Sequence, residues 1–349
     1  EAPGADELGA PRVEVLRCPA LPTAADLEAL LWRLFLLVCC PALLRVEDPP
    51  SSRLPLPPQG PLFAPPPRGG ASASVGGAGG RRVALCFLTS ARAASSDGAV
   101  LWNDAAWQCL VQDFEERTAE SFESAFRVLR HDDSLADAPQ GFLGRAAHVE
   151  PVPGGTERAG LSLVFAELRL VRAALEQGCD CAVLLSGSCL PLCPLDALRD
   201  ELLRGGRSIV QYHFCRGGHQ RLFGIEYGAL QWKAWHRQEL ELLAQLKDEE
   251  LAGRWGQHEE ALKKYNLPPD EAVLVNELRE RIGPLETRCE RRPTTYVEWE
   301  EQGEGPKHAR TFSEGVPEAA WQARAEQGVL ICRKVAALGP ESLGEWRAR

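Results

Sequence analysis

The sequence predicts an α/β domain built on a mostly parallel sheet flanked by helices. Three short apolar runs of strand length end in small or charged polar residues: VALCFLTS (Val83–Ser90), AFRVLRHDD (Ala125–Asp133) and CAVLLSGS (Cys181–Ser188). Helix-period segments separate them, and buried strands alternating with helices are the pattern of parallel crossover units. The composition, 44% hydrophobic and 25% charged over 349 residues, suits a globular domain with appendages.

The elements follow in order. Residues 1–48 contain ALLWRLFLLVCCPALL (Ala29–Leu44), which Arg33 interrupts and which is shorter than the roughly 20 apolar residues of a membrane span. It reads as a degraded signal anchor or as a helix packing on the main domain. Residues 49–80 are rich in Pro, then in Gly, Ala and Ser, a linker or stem. The main domain, 81–335, opens with the first strand and a helix around Trp107–Glu120. After the second strand, Val164, Leu168, Val171 and Leu175 share one helical face, and Gly178 stops that helix.

The third strand leads into the helix LDALRDELLRGG and a further strand, RSIVQYHF (Arg207–Phe214). Tyr227–Tyr265 reads as helical, its Glu/Lys-rich half a solvated face. In NLPPDEAVLVNEL (Asn266–Leu278), Pro-Pro ends what precedes, and Asp270 and Glu271 suit a first helical turn. The strand TYVEWEE, the loop GEGPKHARTF, the helix PEAAWQARAEQG and the strand VLICRKV complete the domain, leaving 336–349 as a tail. In such sheets ligands bind beyond the carboxyl ends of the strands, which places Ser90, His131–Asp133 and Ser186–Pro191 on one rim.

A net charge of −10 argues against nucleic acid as a partner, since phosphate binding needs a basic face. Twelve cysteines suggest a secretory-pathway lumen with a few disulfides, although Cys86 and Cys332, in strands, read as buried thiols. Cys179, Cys181, Cys189 and Cys193 lack a partner pair at zinc-site spacing.

Taken together, VALCFLTS, the strand end RHDD, AELRLVRAAL, VLLSGSCLPLCPLDAL, LQWKAWHRQEL, PPDEAVLVNEL, YVEWEE with HARTF, and LICRKV form an ordered series from Arg81 to Val335. The series resembles the core-2/I-branching β-1,6-N-acetylglucosaminyltransferase family and its plant and microbial relatives. The resemblance implies a GT-A-like nucleotide-sugar transferase fold and inverting transfer from a UDP-sugar of the GlcNAc, xylose or glucuronic acid class. It also implies a glycan or glycoprotein acceptor, no metal and no other cofactor, and a Golgi location behind an N-terminal membrane anchor.

Inverting transfer needs a base for the acceptor hydroxyl, and the matching residue is Glu271; the plain alternative is helix-start duty. The leaving diphosphate needs positive charge, and this chain has no Asp-x-Asp triplet for a cation. The matching positions are Arg310 and Lys334, with Arg333 beside it; otherwise they are loop and strand-end surface charges. Thr89 and Asp132 or Asp133 match nucleotide positions, or form a turn. Ser186 and Ser188 line the floor of the site or shape the strand-to-helix turn. Trp235, Tyr296 and Trp299 match acceptor positions, or are core aromatics.

One departure stands out: Lys233-Ala234 replaces the family's Gly-Ser, which puts the acceptor pocket in doubt. Two other readings remain open, a catalytically inactive relative that binds glycans or partners, and a metal-dependent transferase using Asp132 or Asp133.

Overall fold

The computed structural model describes residues 80–89, 103–132, 141–215, 223–264, 267–300 and 308–349. All belong to one compact unit, Gly76–Arg349. The segment 1–48, the stem up to residue 79, Ser90 and Asp133 lie outside the described residues.

The first half of the unit runs β1 (Val83–Leu88), α1 (Asp104–Thr118), β2 (Phe126–His131), β3 (Ala147–His148), α2 (Leu161–Glu176), β4 (Cys181–Ser186), β5 (Leu190–Pro191) and α3 (Leu195–Leu203). Then come β6 (Ser208–Ile209), β7 (Tyr212–Phe214), β8 (Tyr227–Ala229), β9 (Ala234–His236), α4 (Arg237–Ala244), α5 (Asp248–Trp255) and α6 (Glu259–Lys264). The last part holds α7 (Pro269–Ile282), β10 (Cys289–Glu290), β11 (Thr295–Val297), α8 (Glu318–Gln327), β12 (Ile331–Arg333) and α9 (Pro340–Ala348). A seven-stranded sheet of order β10-β6-β9-β4-β1-β2-β3 forms the middle layer. Its pairs are parallel except where β9 meets β4 and β6.

Successive side chains of a strand point to opposite faces, so a strand covered on both sides is apolar throughout. Val83, Leu85 and Phe87 of β1 enter one core with Trp107, Leu110 and Phe114 of α1; Ala84 and Cys86 enter the other with Val164, Leu168 and Val171 of α2. The register places Leu88 opposite both His131 and Ser186, so β1, β2 and β4 end on one rim.

Three sequence expectations change. The run Arg207–Phe214 is two strands, because Tyr212 N–H turns back to the Val210 carbonyl at 3.0 Å; β6 joins the main sheet and β7 a hairpin with β8. The region from Tyr227 opens with strands rather than helix, and β9 lies antiparallel between β4 and β6. The described cysteines are all free thiols, most of them filling core positions as small apolar side chains, so the expected disulfides are absent among the described residues.

The C-terminal tail is not an appendage. Residues 340–348 form α9, whose Trp346 enters the α1-side core and donates its indole N–H to the Pro191 carbonyl at 3.1 Å. Trp346→Ala is therefore expected to cost about 3 kcal/mol, read as a lower urea midpoint at unchanged slope. A midpoint equal to the parent's would mark residues 336–349 as dispensable.

Candidate functional site

The acidic pair sits where α7 begins. Pro269 occupies the first turn, where its missing N–H costs nothing, and Glu271 N–H bonds to the Pro268 carbonyl at 2.9 Å. Asp270 is buried, and its Oδ1 has no hydrogen-bond partner among the described residues. Burial, with Glu167 adding, pushes Asp270 up to about 6 against the pull of Lys233 and Arg158. Burial and then Asp270 push Glu271 up to about 7, with Lys233 opposing. Desolvation thus outweighs the helix dipole, which alone would favour the anion.

Beneath the pair lies Lys233, fully buried. Its Nζ is 3.2 Å from Glu167 Oε2 and donates to the Asp270 carbonyl at 3.0 Å. Trp235 Nε1–H donates to Glu167 Oε1 at 2.8 Å. Trp235 is 0% exposed, so the expectation that it offers a face to an acceptor is corrected: it is a core residue bound to the buried ion pair. The Lys233-Ala234 departure thus introduces a buried charge directly below Asp270.

The second charge system is positive. Arg333 lies over the Trp232 ring, 4.4 Å from its centroid, and its Nε–H donates to Ser186 Oγ at 3.2 Å. Lys334 follows it. Among the described residues, neither they nor Arg158 is ion-paired with a carboxylate. The charge on Lys334 is disfavoured first by burial, then by Arg333 and Arg158, with Glu300 countering. Arg333 is likewise opposed by burial and by Arg158, with Cys189 countering. Arg158 also acts on Asp270, so the acidic start of α7 and the cationic end of β12 share one electrostatic environment.

Arg310 is a neighbour by main chain: Phe312 N–H bonds to the Lys334 carbonyl at 2.8 Å, and Lys334 N–H approaches the Arg310 carbonyl at 3.4 Å. Its side chain, however, is exposed and paired with Glu298 at 2.6 Å. Trp299, on the same hairpin, is 41% exposed, whereas Tyr296 is half-buried and packs against Phe312 at 6.2 Å.

On the rim, Thr89 is tied to β2, its N–H and hydroxyl both donating to the His131 carbonyl at 3.0 and 3.1 Å. Asp132 is buried between Arg130 Nε at 3.1 Å and His148 Nε2 at 3.2 Å. Ser186 Oγ is 3.2 Å from Ser188 Oγ, and the buried Ser188 accepts Val335 N–H on its carbonyl. A groove of about 1800 Å³ runs past His148, the Pro151–Arg158 segment and Phe165. Its walls therefore include both the histidine bound to Asp132 and the arginine of the cationic cluster. Among the described residues no group of three or more His, Cys, Asp or Glu is placed to hold a metal ion.

Not legible in the sequence were Arg158, the burial and pairing of Lys233, and the open oxygen of Asp270. Arg158 lies in PVPGGTERAG, a loop with no periodicity to read, and Lys233 breaks an apolar run in a way that resembles surface.

No protein-family model and no curated protein matches the chain. Among solved structures, a galactosyltransferase, LgtC, in complex with donor and acceptor sugar analogs is similar at 13% identity and a TM-score of 0.37, covering 76% of this chain and 95% of that one. An active-site mutant of LgtC gives the same values. A CMP:2-keto-3-deoxy-manno-octonic acid synthetase complexed with CTP is similar at 12% identity and a TM-score of 0.26, over 53% of this chain and 87% of that one.

The raised Glu271 carboxyl has a stability consequence. A carboxyl that holds its proton more tightly folded than unfolded contributes most below the unfolded value, and that contribution is lost as pH rises through about 7. Glu271→Gln is therefore expected to melt a few degrees above the parent at pH 8 and level with it at pH 4.5. Equal melting temperatures at both pH values would contradict this environment for Glu271.

Proposed function

We propose that this chain is an inverting, metal-independent glycosyltransferase moving a sugar from a UDP-sugar of the GlcNAc, xylose or glucuronic acid class to a hydroxyl of a glycan or glycoprotein. The observation that carries the reading is the pairing of two opposed charge systems through Arg158. Glu271, whose affinity for protons is raised, follows Asp270, on which Arg158 acts; Arg158 acts in turn on Arg333 and Lys334, and among the described residues none of these three cations is ion-paired with a carboxylate. Arg333 disfavours the charge on half-buried Lys334, the exposed Arg158 disfavours both, and a diphosphate relieves that cost.

In this reaction Glu271 removes the acceptor proton as the hydroxyl oxygen bonds to the anomeric carbon from the face opposite the diphosphate. The bond from that carbon to the diphosphate oxygen breaks, and its electron pair leaves on UDP. Arg158, Arg333 and Lys334 meet the developing charge with groups already in place. Arg310 joins them by exchanging Glu298 for phosphate oxygen. Asp270 Oδ1 accepts a hydrogen bond from a second acceptor hydroxyl, and Trp299 supplies an apolar sugar face.

The nucleotide lies along the groove towards the rim of Thr89, Asp132, Ser186 and Ser188. Because both oxygens of Asp132 are already engaged, it acts by orienting His148. Membership of the core-2/I-branching family, a Golgi-lumen location and an upstream anchor rest on the ordered sequence landmarks alone. No helix among the described residues is long and apolar enough to cross a membrane.

Three variants test the roles against a donor panel with UDP release as the readout. Glu271→Gln is expected to lower kcat by about 10²–10⁴-fold with UDP affinity little changed. Lys334→Ala should lower kcat/KM by about 10²-fold, and Arg310→Ala by less, since its side chain begins in an ion pair. Turnover by Glu271→Gln at the parent rate would remove the proposed base.

A further inference from the structure

A Lys–Glu pair buried in a core is an inefficient way to stabilise a fold, because apolar residues of the same volume do as well or better. Lys233 and Glu167 are nonetheless both buried to about 1% or less, and the third contact of the ammonium goes to the chain at the candidate base. We propose that Lys233 is a positioning residue that pins the first turn of α7 through the Asp270 carbonyl and sets its ammonium beneath the Asp270–Glu271 pair. This rests on the reading of Glu271 as the base and extends it to a residue that touches no substrate.

The scaffold behind Lys233 is rigid. Its carbonyl accepts Leu184 N–H at 3.0 Å, which ties it to β4 at the centre of the sheet. Its ammonium lies 5.7 Å from the Trp235 ring centroid, and Trp235 locks Glu167 in turn. A line of contacts therefore runs from β4 through Lys233 to the peptide before Glu271, with no loop between.

The charged groups around the pair are few. Lys233 acts on Asp270 and Glu271 from below, with Glu167 of α2 behind it, and Arg158 acts on Asp270 from the loop before α2. Several other charged groups on α7 and the elements packed against it are engaged elsewhere: Glu226 with Arg279, Glu277 with Arg254, and Lys263 with Glu157, Glu259 and Glu260. Lys233 is thus the cation acting directly on both members of the pair.

The test compares the parent, the charge-free double variant Lys233→Met/Glu167→Gln, and Glu167→Gln alone. Carboxyl-carbon NMR follows the two side chains through a pH titration, with Glu271→Gln identifying the Glu271 signal; the pH dependence of kcat/KM is measured alongside. In the double variant, the Glu271 midpoint and the acid limb of kcat/KM are expected to rise together by about one pH unit, as when a neighbouring cation is lost. In Glu167→Gln, which keeps the ammonium, the Asp270 midpoint is expected to fall. A purely structural ion pair would lower the melting temperature without shifts of opposite sign.

Unmoved midpoints in a double variant that still melts cooperatively would overturn the inference. So would a Glu167→Gln protein in which the Asp270 midpoint rises. A Glu271 midpoint that moves as expected, in a protein whose Glu271→Gln form still turns over, would support the role of Lys233 and overturn only the base assignment.

Discussion

Arg158, Arg333 and Lys334 come from two distant parts of the chain and share one region although Arg158 disfavours the charge on Arg333 and Lys334, and Arg333 that on Lys334. At the end of β12 the surrounding structure fixes the positive groups against that repulsion. Val335 N–H is bonded to the Ser188 carbonyl at 3.1 Å, and Arg333 is wedged between the Trp232 ring and Ser186. Positive groups fixed before a ligand arrives need little reorganisation as negative charge develops on it, which is the condition under which side chains can replace a cation. Much of the functional reading depends on this frustrated cluster.

The acidic start of α7 is its counterpart. There burial works in the opposite sense, favouring the neutral carboxyl, while Lys233 and Arg158 restrain the effect. The sheet joins the two systems. β1 registers with both β2 and β4, so Thr89, Asp132 and Ser186 stand on one rim, and β4 supports Lys233 on one side while Ser186 at its end holds Arg333. A shift of one residue in that register would exchange the two faces of each strand and remove both supports.

Much of this frame was legible in the sequence. β1 and β4 are nearly continuous apolar runs because both faces are covered, and α2 and α7 carry clear stop and start signals in Gly178 and Pro268-Pro269. What escaped reading has a common cause, polar or short residues whose environment is made by distant chain. Tyr227–Tyr265 read as a charged helical region, whereas Glu167, 66 residues before Lys233, is what allows a buried lysine just ahead of β9. Val210 and Gln211 carry no Gly or Pro to announce the turn between β6 and β7. The cysteines suggested cross-links, but among the described ones Cys86, Cys181, Cys289 and Cys332 are buried strand thiols that fill core positions. Glu271, Lys334 and Arg333 were identified only by their place in an ordered family-like series, while Arg158, which acts on Asp270 and on the Arg333–Lys334 pair, had no such marker.

The central claim is that fixed side chains, with no cation, supply the charge that holds a nucleoside diphosphate. Calorimetric titration of the full chain with UDP in EDTA, repeated at increasing salt, addresses it directly. Saturable binding is expected in EDTA, weakening as salt rises and largely lost when Arg158, Arg333 and Lys334 are replaced together by Ala. Binding that appears only when Mn²⁺ is restored, or that survives the triple replacement, would contradict it.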